Sequence, residues 1–314
     1  MAQAFVFPGQ GSQTVGMGRE MARNFTVARA VFEEVDEALS QKLSQLMFEG
    51  PPEMLMLTEN AQPAIMAVSI ACLRVLEQEV GLSLSRDAAF VAGHSLGEYS
   101  ALCAAGSLRL RETARLLRVR GAAMQQAVPA GNGAMAALLG VEYDTACRIA
   151  IEAAHNEICA VANDNAPGQV VVSGAKAAVE RAVEIAKKQG AKRAMMLQVS
   201  APFHCPLMAP AAGIMEEALA AASITMPVVP LVANVTASAV VDPATIRRLL
   251  VEQVTDQVRW RESIEYLRAQ KVGRIIELGA GKVLAGLNKR ICPEMEAVSI
   301  GEPADLSFFK QRAA

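Results

Sequence analysis

Aromatic residues are scarce in this chain. They make up 4% of its 314 residues, with one tryptophan and three tyrosines, against 52% hydrophobic residues. A core therefore has to be built from Ala, Val, Leu, Ile and Met, as in helix-rich α/β proteins. Net charge is nearly absent as well, at −2, which argues against a nucleic-acid partner or an anionic membrane surface. No apolar run reaches the ~20 residues that a bilayer span requires. The longest, Ala64–Leu73, is shorter and holds Ser69. The N-terminus, Met1–Phe7 leading into Pro8–Gly9, has no basic segment and reads as a first strand and its turn rather than a signal peptide. The six cysteines (72, 103, 147, 159, 205, 292) form no C-x-x-C pair and sit mostly in apolar segments. Reduced thiols, a cytoplasmic location and no metal site are expected.

What is present centres on Val91–Ala92–Gly93–His94–Ser95–Leu96–Gly97–Glu98–Tyr99–Ser100. It reads G-x-S-x-G. The apolar run Ala88–Ala92 before it suits a buried strand, and Tyr99–Ala105 after it suits a helix that Gly106 stops. Strand, sharp turn, serine and helix make a nucleophile elbow, with Ser95 lifted clear of both elements and the helix amides aimed at the same spot.

The rest of the chain reads as α/β. Ala4–Phe7 is a strand running into the glycine-flanked turn Gly9–Gln10–Gly11. A helix from about Thr58 to Gln78, capped by Thr58, is apolar on all sides over Ala64–Leu73 and so is expected in the core. Gln62, in its first turn, is expected to satisfy only local backbone. Beyond the linker Pro129–Gly133, strands at Ala134–Leu139, Ile158–Asn163, Val170–Ser173 and Ala194–Val199 alternate with helices at Tyr143–Ala153 and Ala175–Gln189. Asp164–Gly168 reads as the turn between the middle two strands. The order is β-α-β-β-α-β, the ferredoxin-like arrangement. Residues 128–200 are thus expected to form a small domain inserted into a large α/β domain of residues 1–127 and 201–314, with a substrate cleft between them. Later elements include a helix over Pro206–Ala222, a strand over Val228–Ala233, a helix capped by Asp242, and a strand over Arg274–Leu278.

Two further groups stand out. In the helix from Leu110, Arg111, Arg115 and Arg118 share one side, while Arg120 falls on the apolar face beside Thr113 and Leu116. An arginine there needs an anion. A core carboxylate and a substrate carboxylate both meet that need. A serine nucleophile also needs a base. Of three histidines, His94 diverges from Ser95 on a tight turn and suits packing or orienting, and His155 reads as surface. His204, on a loop where the chain re-enters the large domain, is the candidate by elimination. Glu277 is the best acid to orient it, though a backbone carbonyl serves equally. The order Ser, inserted domain, His argues against a plain esterase or lipase.

Taken together, Phe7–Gln13, Gly93–Leu102, Arg120, Phe203–His204 and Gly281–Lys282–Val283–Leu284 resemble the malonyl-CoA:acyl-carrier-protein transacylases of fatty acid synthesis over nearly the whole chain. The resemblance implies an α/β-hydrolase-like large domain with an inserted ferredoxin-like one. It implies acylation of Ser95 with His204 as base, Arg120 as the clamp for the malonyl carboxylate, and an oxyanion hole from the amides of Gln10 and Leu96. Gln253 matches a glutamine that holds the histidine through its backbone carbonyl. Phe203 matches the pattern in which a bulky ring crowds an α-methyl branch. Malonyl-CoA and acyl carrier protein are the implied partners, with no cofactor and a monomeric chain. The Lys187–Lys188 and Lys192–Arg193 cluster reads either as a solvated face or as a surface for the acidic carrier protein. Ala280 stands where relatives often carry Pro. The rival readings are a serine thioesterase, with water as acceptor, and a non-catalytic carrier-protein-binding module.

Overall fold

The computed structural model describes residues 1–310. Its larger sheet is built from six strands, here β1 (Ala2–Phe7), β2 (Phe90–Gly93), β7 (Leu231–Ala233), β8 (Ser238–Val240), β9 (Val272–Leu278) and β10 (Glu296–Ile300). The order is β10-β9-β1-β2-β7-β8, parallel throughout except for the β7–β8 hairpin. Parallel strands need crossovers, and these put helices on both faces of the sheet. The middle strands are accordingly apolar runs, with Ala4–Phe7 fully buried. The helix Thr58–Val80 lies in the core, with Ala64–Leu73 at most 1% exposed.

The second sheet has four antiparallel strands: β3 (Gly133–Leu139), β4 (Cys159–Ala166), β5 (Gln169–Ala175) and β6 (Arg193–Met196), in the order β4-β5-β3-β6. The helices Tyr143–Ala154 and Lys176–Lys188 connect them in β-α-β-β-α-β sequence. Side chains alternate along each strand. Ala136, Leu138, Val170 and Val172 join Ile149, Val179 and Val183 in a core of their own, whereas Met135 and Val171 join the main core. The two sheets are stitched at β4. Val258 donates to the Ala162 carbonyl at 2.8 Å, Asp164 donates to the Val258 carbonyl at 3.0 Å, and the Arg261 guanidinium meets the buried Asp164 carboxylate at 2.7 Å.

Several expected elements shift. Asp164 and Asn165 lie inside β4, because the Val258 backbone supplies partners that extend the strand. The strand before Ser95 starts at Phe90, and Pro206–Met208 forms a 3₁₀ turn ahead of the helix Ala209–Ala221. Thr58 does not cap its helix. Leu57 holds the N-cap position without a side-chain bond, and the Thr58 hydroxyl is used elsewhere. Asp242 does cap, accepting from the Thr245 amide at 2.8 Å. Glu277 accepts the amides of Leu284 and Ala285 at 3.0 Å each and the Ser299 hydroxyl. It is a helix cap, not a partner of a histidine.

Candidate active site

Register sets the site's first contact. Phe7 pairs with Gly93, so β1 and β2 end side by side and their loops leave the sheet together. The β1 loop carries Gln10 and the β2 loop carries Ser95. Two glycines make the approach possible. A Cβ on Gly93 would sit 1.9 Å from the Gly97 carbonyl, and one on Gly97 would sit 2.2 Å from the Phe7 oxygen. Any other residue would push the elbow helix off β1. Ser95 itself takes φ 54°, the left-handed region that a non-glycine residue occupies only under constraint. The constraint is visible. The Ser95 amide donates to Asn234 Oδ1 at 2.8 Å, and Asn234 Nδ2 donates to the Gly93 carbonyl at 2.7 Å. The end of β7 thus holds both sides of the turn.

His204 reaches the same point from the loop after β6. Its Nδ1 lies 2.8 Å from the Gln253 carbonyl and 3.1 Å from that of Asp256. Carbonyls only accept, so the proton sits on Nδ1 and the unprotonated Nε2 faces Ser95 Oγ at 2.7 Å. The imidazole is 4% exposed. Burial and, second, the charge of Arg120 push its pKa down to about 3. It is therefore a neutral imidazole with a free acceptor nitrogen.

Arg120 is 1% exposed. Its Nη1 donates to Gln62 Oε1 at 2.9 Å, and its Nη2 donates to Gln253 Oε1 at 2.8 Å and to Ser95 Oγ at 3.2 Å. The guanidinium lies over the Tyr99 ring, 5.7 Å from its centroid. Among the described residues, no carboxylate pairs with it directly. Gly121 brings its helix in this close, since a Cβ there would lie 2.6 Å from the Thr58 carbonyl oxygen.

A cavity of about 370 Å³ opens over these groups. Gln10, Gln62, Ser95, Arg120 and His204 line it from the larger sheet's side, and Met135 and Val171 from the smaller sheet. Phe203 lines it too, 7% exposed. Among the described residues, no protein acceptor meets the amide of Gln10 or of Leu96. Of the other two histidines, His94 also lines the cavity but makes no bond to Ser95 Oγ. His94 Nε2 bonds Asn165 Oδ1 at 2.8 Å and its ring tilts against Trp260 at 5.6 Å, an orienting role, while His155 is exposed.

Sequence reasoning missed the layer beneath. Gln62 is a partner of Arg120 rather than of local backbone. Gln253 contributes its side chain as well as its carbonyl: Nε2 donates to the Ser95 carbonyl at 3.0 Å and to Glu98 Oε2 at 2.8 Å. Glu98, 1% exposed, also accepts the Asn234 amide at 3.1 Å. Burial pushes its carboxyl up to about 7. The signal for Glu98 was an acid in a helix otherwise made of small and apolar residues. Asn234, at a strand end, carried no comparable signal.

Residues 4–296 match the acyl transferase domain family. The malonyl CoA-acyl carrier protein transacylase of Bacillus subtilis (strain 168) is 46% identical over 306 residues, covering 97% of this chain and 95% of that protein. An acyl-carrier-protein-S-malonyltransferase structure from Bartonella henselae superposes with a TM-score of 0.96 at 53% identity, covering 99% of this chain and 100% of that one. A malonyl-transacylase solved in complex with its type II PKS acyl-carrier protein superposes equally well, at 41% identity over 99% of this chain and 100% of that one. On the strength of these matches, spanning nearly its whole length, the chain belongs to the malonyl-CoA:acyl-carrier-protein transacylase family.

Proposed function

We propose that the protein moves a malonyl group from malonyl-CoA to the phosphopantetheine thiol of an acyl carrier protein through an ester on Ser95, supplying extender units for fatty acid synthesis. The observation that carries this reading is the meeting of two groups at the Ser95 hydroxyl oxygen. Ser95 Oγ lies 2.7 Å from an unprotonated imidazole nitrogen and 3.2 Å from a buried guanidinium that no carboxylate touches. A hydrolase of neutral acyl groups has no use for that cation beside its nucleophile. A malonyl thioester brings the carboxylate it lacks.

The reading implies the following steps. His204 Nε2 takes the Ser95 proton as Oγ attacks the thioester carbonyl. The carbonyl π electrons move to oxygen, and that oxyanion is met by the Gln10 and Leu96 amides, ~3 kcal/mol per donor in comparable sites. Collapse expels CoA sulfur, which takes the proton back from His204. The carrier thiol then repeats the sequence in reverse, giving ping-pong kinetics. Arg120 holds the malonyl carboxylate as a bidentate clamp, and the Gln253 carbonyl keeps His204 in its productive tautomer. The Phe203 ring, at the cavity wall, leaves little room for an α-methyl branch. Transfer between two thioesters needs no cofactor.

We assign residues 1–127 and 201–314 to an α/β-hydrolase-like domain and 128–200 to an inserted ferredoxin-like domain, in keeping with the two sheet orders. A monomer working in the cytoplasm fits this reading, and no helix among the described residues is long and apolar enough to cross a membrane. The Lys187 cluster reads as a solvated face, since Lys187 Nζ already pairs with Glu184 at 2.7 Å.

Incubation with malonyl-CoA and intact-mass measurement tests the function. A malonyl adduct that disappears in Ser95→Ala and moves to added carrier protein is expected. Free malonate released as fast as CoA, without carrier, would make the protein a thioesterase. Carrier binding with no adduct at all would make it a binding module.

A further inference from the structure

Glu98 has no part in the steps above, yet it is a carboxylate buried beneath the nucleophile. It does not touch the substrate cavity. One side-chain amide connects it to the site: Gln253 accepts from Arg120 at 2.8 Å through Oε1 and donates to Glu98 at 2.8 Å through Nε2. Arg120 and Glu98 are therefore both buried and are bridged by a single glutamine. A buried charge cannot stand alone in a desolvated site, and Arg120 meets no carboxylate directly. Resting on the malonyl-transfer reading, we propose that Glu98 is the counter-charge of Arg120 in the unloaded enzyme, and that it gives up this role by binding a proton when the malonyl carboxylate reaches Arg120.

The argument is one of charge balance. Unloaded, the buried layer holds one guanidinium and one carboxylate. Malonylation of Ser95 adds a second carboxylate against the same guanidinium. Two carboxylates sharing one cation in a desolvated site raise each other's affinity for protons. The malonyl group has its clamp at Arg120, so the proton goes to Glu98, whose own contacts are weaker anion partners: the Gln253 amide and the Asn234 backbone N–H. The titratable and charged groups facing Glu98 are few. Arg120 acts on it across Gln253, and Tyr99 is its neighbour on the same helix, a phenol kept neutral by burial. His204, held by the Gln253 carbonyl, is likewise neutral. Burial has already raised the Glu98 carboxyl to about 7, so a further rise moves it across the working pH.

Proton counting during acylation tests this directly. Exchange of malonyl from CoA sulfur to Ser95 oxygen conserves protons, since the serine proton ends on the CoA thiol. Any net uptake must come from elsewhere. In weakly buffered solution at pH 7.5 with an indicator dye, wild-type protein is expected to take up about half a proton or more per malonyl adduct counted by mass. Acetyl-CoA, which brings no carboxylate, is expected to give none, and so is Glu98→Gln with malonyl-CoA. A full malonyl adduct with no uptake between pH 6 and 9 overturns the proposal and leaves the transfer reading intact. So does equal uptake with acetyl-CoA, or uptake that persists in folded E98Q. Absence of any adduct removes both readings. The wild-type comparison decides the matter even where E98Q fails to fold.

Discussion

Removal of the Arg120 guanidinium should separate malonyl from acetyl transfer. In Arg120→Ala, a malonyl carboxylate entering the cavity loses two charge-assisted hydrogen bonds. Each is worth ~1.5–3 kcal/mol when one partner is ionised, so a bidentate clamp accounts for about 3–6 kcal/mol. At 1.4 kcal/mol per factor of ten, kcat/KM for malonyl-CoA should fall by ~10²–10⁴. Acetyl transfer feels only the indirect consequences. Gln62 Oε1 and Gln253 Oε1 lose their donor, and both lie in a layer that is at most 1% exposed. Looser seating of Gln253 reaches His204 through its carbonyl, so acetyl transfer should fall by about tenfold at most. Arg120→Lys keeps the charge without the planar fork and should fall between wild type and alanine for malonyl-CoA. The assay is carrier-dependent transfer of radiolabelled malonyl and acetyl groups under kcat/KM conditions, with thermal midpoints as a control on folding. Equal losses for both acyl groups would show that Arg120 only holds the site together.

Three other expectations follow from the same geometry. His204 is held neutral by burial and by Arg120, its pKa pushed down to about 3, so kcat/KM should not fall as pH is lowered from 7 to 5; an acid-side decline centred at the ordinary histidine value would refute this assignment. Glu98 is raised from 4.5 to about 7, so its neutral form favours the folded state fully below pH 4.5, and that advantage is lost as pH rises through 7; urea midpoints of E98Q relative to wild type should gain roughly 2–3 kcal/mol between pH 4.5 and 8, and a pH-independent difference would refute it. Asn234→Ala leaves the Ser95 amide and the Gly93 carbonyl without partners in a buried turn and should cost about 2–4 kcal/mol in chemical denaturation, whereas a loss under ~0.5 kcal/mol, typical of a surface substitution, would mean the elbow holds its shape without it.

Much of the site was legible because its signals are local. Gly93 and Gly97 announce a turn that no Cβ permits, and their spacing around Ser95 puts that side chain at its apex whatever the rest of the chain does. Arg120 betrayed itself by falling on an apolar helical face, where only a bound anion or fixed acceptors make sense. No direct salt bridge to a core carboxylate forms among the described residues. The fixed partners of Arg120 are neutral glutamines, and the nearest acid stands one amide away. His204 came from elimination, which works when a chain has three histidines. The contacts that failed to show are those between segments far apart in sequence. Gln62, Glu98, Asn234 and Gln253 meet only because four separate elements converge, and their residue types are ordinary for helix interiors and strand ends. Thr58 shows the same limit from the other side. Its position suggested a cap, but its hydroxyl lies 2.8 Å from Ser200 Oγ, across 142 residues.

The sequence by itself determined the α/β class, the order of most of the elements and the tight turn that carries Ser95. Those depend on apolar periodicity and backbone stereochemistry, which act over a few residues. The tertiary structure alone decided how Ser95 is supported. It placed the Asn234 side chain under the elbow, used backbone carbonyls rather than Glu277 to orient His204, and set Gln253 between a buried cation and a buried acid. Such choices depend on which polar groups run out of water together when the core closes, and that is a property of the assembled fold.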